Sequence, residues 1–100
     1  MTSTTTPGPQ LTDLFRRLWA WNVSSWQHGD RIELARVTLR RLAAMASDSD
    51  GLARPDVPDV GPHALADQLF VLAADALGSG CSTEAVEAVL LDLGGALRLR

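Results

Sequence analysis

One hundred residues suffice for a single domain, and a chain this short buries only about 60–70 % of its unfolded surface, so leftover apolar surface carries information. The 46 % hydrophobic content and net charge of −3 exclude a disordered polyelectrolyte, and the single Cys excludes an internal disulfide framework. No apolar run approaches the roughly 20 residues of a membrane-spanning helix. Leu and Ala dominate the apolar set, Tyr is absent and β-branched residues are sparse, a bias toward helix. The expectation is therefore all-α: a small four-helix bundle-like domain over residues 11–100, with a long Pro/Asp-rich loop between its second and third helices.

Residues 1–10, MTSTTTPGPQ, have nothing to bury and read as a disordered leader with neither the charged start nor the apolar core of a signal peptide. With the lone Cys, this predicts a cytoplasmic protein. A first helix is expected over about 12–23, capped by Thr12 with Asp13 in its first turn. At the helical period Leu11, Leu14, Leu18 and Trp21 form one strip. Phe15, Trp19, Val23 and, if the helix runs so far, Trp26 form the next. Together the strips span about 200°, twice the stripe of an ordinary surface helix.

Ser24, Ser25 and Gly29 break the pattern, and Asp30 with Glu33 resembles a capping box that starts a second helix over 31–46. Its stripe is Ile32, Ala35, Leu39, Leu42, Ala43 and Ala46. Residues 47–61, SDSDGLARPDVPDVG, read as the loop, with Leu52, Val57 and Val60 as candidates to dip into the core. Pro62 suits the first position of a third helix over 62–77 carrying Leu65, Leu69, Leu72, Ala73 and Ala76, and Gly78 ends it. Ser82 caps a fourth helix over 83–97 with Val86, Val89, Leu90, Leu93 and Leu97 inward, ended or bent at Gly94-Gly95.

Chemistry-bearing patterns are sparse. Placing Gly51 at the sixth position of a calcium-binding EF-hand loop puts Ala46 first, Arg54 ninth and Val57 twelfth, which removes the essential ligands. His28, His63 and Cys81 share no zinc-ligand spacing. Cys81 precedes a helix N-terminus, where a thiol can become reactive, but no base is placed beside it by sequence. There is no nucleophile elbow, phosphate-cradling loop or dinucleotide fingerprint. Thus no catalytic residue, cofactor or metal is expected.

The third helix, Gly turn and fourth helix can be drawn as a helix-turn-helix of a DNA-binding regulator or antitoxin-like protein. The reading helix would then present Glu84, Glu87 and Asp92 to phosphates, which disfavours nucleic acid. The segment Cys81-Ser82-Thr83-Glu84-Ala85-Val86-Glu87 resembles the region around the modified serine of acyl and peptidyl carrier proteins, with Cys81 and Thr83 in place of that family's Asp and Leu. The resemblance implies a four-helix carrier domain bearing phosphopantetheine on Ser82.

Charge is uneven. Residues 1–47 hold six Arg against Asp13, Asp30 and Glu33, whereas residues 48–100 hold nine acids against Arg54, Arg98 and Arg100. The expected function is a non-catalytic protein–protein interaction module, a small helical adaptor or regulatory subunit. It would bind a protein partner, or a second copy of itself, through Phe15, Trp19, Trp21, Val23 and Trp26.

Overall fold

The structure, a computed structural model, describes residues 9–97. Five α-helices follow one another: α1 (Pro9–Ala20), α2 (Val23–Trp26), α3 (Arg31–Asp50), α4 (Leu65–Gly78) and α5 (Thr83–Ala96), with a 3-10 turn at Pro62–Ala64 leading into α4. There is no strand among the described residues, and none of the helices is long and apolar enough to cross a membrane. The all-α class is as expected. Four long helices occupy the predicted places, and a single-turn helix, α2, is added between the first two.

Several boundaries differ for identifiable reasons. Residues 1–8 of the expected leader lie outside the described residues, but Pro9 and Gln10 belong to α1, with Pro9 at the first helical position that its fixed φ suits. Thr12 therefore sits inside the helix and does not cap it. At the other end α1 stops at Ala20, short of the expected residue 23.

The capping box at Asp30 is not formed. Its backbone (φ −104°, ψ 22°) lacks the extended conformation that aims an N-cap oxygen, and its side chain makes no cap hydrogen bond. Downstream, α3 runs four residues past the expected end, taking in Ser47–Asp50, until Gly51 adopts the left-handed conformation (φ 72°) and donates its N–H to the Ser47 carbonyl at 2.8 Å. The non-helical connection is thus residues 51–61. Gly94 and Gly95 lie within α5 and do not end it. A methyl group at Gly94 would meet Leu14 Cδ1 at 3.3 Å, so the missing side chain lets α1 and α5 approach closely.

The core is nearly all Leu, Ala and Val. Leu11, Leu14 and Leu18 of α1 meet Leu39, Leu42 and Ala46 of α3, Leu65, Leu69 and Ala76 of α4, and Val86, Leu90, Leu93 and Leu97 of or just beyond α5, all buried in one cluster. The central α3 packs against both α4 and α5, and α1 closes the bundle by lying on the same two helices. The predicted stripes of the last two long helices are all at least half-buried.

Residues 51–61 cross this bundle as a strap. Arg54 grips the carboxylate of Asp50 with two nitrogens (2.9 and 2.7 Å) and reaches Asp75 of α4 at 2.8 Å. Further on, Gln68 donates to the Pro58 carbonyl at 2.9 Å and Arg36 pairs with Asp59 at 3.4 Å. Of the three apolar residues expected to dip inward only Val57 packs on the core, while Leu52 and Val60 stay exposed. The polar clamps hold the strap in their place.

Candidate functional site

Three Trp residues on one broad helical strip would be a surface with no partner in the bundle. The fold resolves this by interrupting the helix. After Ala20 the chain passes through Asn22, whose backbone is extended (φ −86°, ψ 176°) and whose Oδ1 accepts the Ser25 N–H at 2.8 Å, so α2 starts in a new rotational phase. Trp26 is thereby turned inward and is 2 % exposed. Trp21 packs on it edge-to-face (4.9 Å between centroids) and is covered in turn by the Arg31 guanidinium, 4.3 Å from the ring centre. Arg31 is fixed by a 2.8 Å hydrogen bond to the Ser25 carbonyl. This group anchors the elbow between α1 and α3.

The five residues singled out by sequence thus separate. Trp26 and Phe15 are buried, Trp21 is half-buried, and Trp19 and Val23 are exposed. What Trp19 meets was not foreseen: its ring lies 5.3 Å from Phe70 of α4 and 5.6 Å from Phe15, and Phe70 stands edge-on to Phe15 at 5.3 Å. The indole N–H of Trp19 donates to Asp67 Oδ1 at 2.7 Å. Phe15 is the floor of this cluster, while Trp19, Phe70 and the neighbouring Val71 remain 49 %, 43 % and 60 % exposed. At 100° per residue Asp67, Phe70, Val71 and Ala74 all fall on the side of α4 opposite its buried stripe. That arc, with two large apolar side chains where a solvated face would be polar, was the available signal.

Apolar depressions flank this ridge. One, of about 270 Å³, is lined by Leu11 and Phe15 of α1, Phe70, Ala73 and Leu77 of α4, and Val86 of α5. The other, of about 400 Å³, lies between α4 and the strap, with Val57, Pro58, Val71 and Leu72 in its walls and Asp56, Asp67 and Asp75 among its polar members. The ridge and its grooves form a largely apolar surface built mainly from α1, α4 and the strap.

Other groups are accounted for locally. Asp50 is held at about pKa 2, chiefly by the hydrogen bonds from Arg54 and next by the Leu52 N–H, and the Arg54 guanidinium is raised by its hydrogen bonds to Asp50 and Asp75. Asp13 is held below the usual carboxylate range, mainly by its hydrogen bond from Arg16, and it also pairs with Arg17 at 2.9 Å. Arg40 pairs with Glu33 and Arg41 with Asp92, so every Arg among the described residues has an acidic or aromatic partner.

His28 and His63 are exposed, and no group of three His, Cys, Asp or Glu side chains among the described residues is gathered to hold a metal ion. The Cys81 thiol is half-buried and donates to the Met45 carbonyl at 3.4 Å. Ser82 is the N-cap of α5, its Oγ accepting the Ala85 N–H at 3.1 Å, and Glu84 lies in the first turn, where the helix N-terminus favours an acid. No family model, curated protein or solved structure matches the chain.

Proposed function

We propose that this chain is a non-catalytic protein-interaction module and that its contact surface is the aromatic face shared by α1 and α4. The observation that carries the reading is the Trp19–Phe70–Val71 ridge: two aromatic rings and a Val, all about half-exposed or more, seated on long helices and backed by the buried Phe15. Rigid, partly exposed aromatic anchors beside apolar grooves have the composition of binding hot spots, and ordering them costs a partner little entropy. Of the residues expected from sequence, Trp19 keeps a contact role, Phe15 supports it from below, and Trp21 and Trp26 serve the fold. Phe70 and Val71 join the site.

The test is site-specific photo-crosslinking in the source cells, with benzoylphenylalanine placed at Phe70, at Trp19 or, as a comparison, at the exposed Val37 of α3. Discrete protein adducts at positions 70 and 19, absent at 37, are the expected result. Equal labelling at all three positions would refute an interface at this face.

A further inference from the structure

The ridge differs from the surface around it in charge as well as polarity. Between residues 48 and 97 there are nine carboxylates and one cation, Arg54. That cation is committed to Asp50 and Asp75 on both sides of the strap. Asp56 and Asp67, in the wall of the larger groove that Arg54 and Asp75 also line, have no cation paired with them among the described residues, and Asp67 instead accepts the Trp19 indole N–H. With one cation against three carboxylates in that wall, the apolar face is bordered by net negative charge.

The backbone of α4 is hydrogen-bonded within its own helix, so an occupant of this face gains from side chains and not from strand-like pairing. Two apolar depressions on opposite sides of one helical ridge offer separate seats for apolar side chains of a second helix laid across it. Resting on the reading above, we infer that the partner of this face is a basic amphipathic helix: apolar side chains enter the grooves beside Phe70 and Val71, and Lys or Arg side chains meet Asp56 and Asp67. A second copy of this chain is a poorer occupant, because symmetric pairing of the face would set its own carboxylates against one another.

Fluorescence anisotropy with two labelled 15-residue model helices tests this, one with a Leu face and a Lys face, the other with the same Leu face and a Glu face. The Lys helix is expected to bind at least about tenfold more tightly than the Glu helix, and Asp56→Asn with Asp67→Asn to weaken it about fivefold or more. Asn at 67 retains the oxygen that Trp19 needs, and Asp92→Asn, on the exposed side of α5, is the comparison that leaves affinity unchanged. Phe70→Ala, checked for retained helicity by circular dichroism, is expected to weaken the Lys helix about tenfold. If Phe70→Ala weakens both helices but they bind equally, the cationic partner is overturned while the face stands. If Phe70→Ala changes neither, the face itself is overturned. A concentration-dependent dimer in light scattering that Phe70→Ala dissolves would make a second copy the occupant and overturn the inference.

Discussion

Trp26→Ala and Trp19→Ala separate the anchoring indole from the displayed one. A Trp side chain offers on the order of 200 Å² for burial. Trp26, 2 % exposed, removes nearly all of it from water, so at about 25 cal/mol per Å² its loss costs about 5 kcal/mol, near the upper end of what Trp-to-Ala truncations in cores cost. Trp19, 49 % exposed, hides about half as much, and its loss costs about 2.5 kcal/mol, with a few tenths more for the exposed hydrogen bond to Asp67. A domain of this size has about 5–15 kcal/mol in total, so Trp19→Ala stays folded while Trp26→Ala is left near the threshold. Urea unfolding followed by helical ellipticity at 222 nm measures both, with the denaturant slope checked for constancy. Equal losses from the two substitutions, or a larger one at Trp19, would refute the assignment of Trp26 to the core and Trp19 to the surface.

Gly95→Ala, in open space on α5, is expected to stabilise the fold by about 0.5–1 kcal/mol, whereas Gly94→Ala forfeits that gain because its methyl crowds Leu14; thermal unfolding of the pair reads the difference. Because the Asp50 carboxyl is lowered from 3.8 to about 2 in the folded chain, its contribution is complete above about pH 4 and is lost as pH falls toward 2; Arg54→Met removes most of this acid-limb dependence and leaves the part due to the Leu52 N–H, measured as the wild-type-minus-variant stability difference between pH 5 and 2. Ser82→Ala deprives the Ala85 N–H of its acceptor and is expected to cost about 1 kcal/mol in the same unfolding assay, with Ser82→Asp restoring most of it.

Helical periodicity was enough to place the core, because Leu39, Leu42, Leu69 and Leu90 repeat on single faces and burial follows the face. Helix ends were less legible. Ser47–Asp50 look like loop residues by propensity, yet they remain helical because Gly51 supplies the stop and Arg54 neutralises an acid at an end that disfavours one. The site was legible only in part. The excess apolar surface on the first helix was visible, but its division depended on a phase break at Asn22 that turns Trp26 inward. Phe70 gained meaning only when α4 came to lie beside Trp19, a meeting between residues 51 positions apart in the chain that no local pattern encodes.

The close approach of α1 to α5 across Gly94 bears on when the aromatic face exists at all. Trp19 and Phe70 come from helices that are not neighbours in the chain, and α1 rests on α4 and α5 together. During synthesis α1 therefore emerges with its apolar strips uncovered and gains its full seat only after α5 has followed. Until then the groove beside Phe70 lacks the wall that Val86 of α5 supplies. The contact surface proposed above is in this way complete only once the bundle has closed, so a partner bound there would also read completion of the fold.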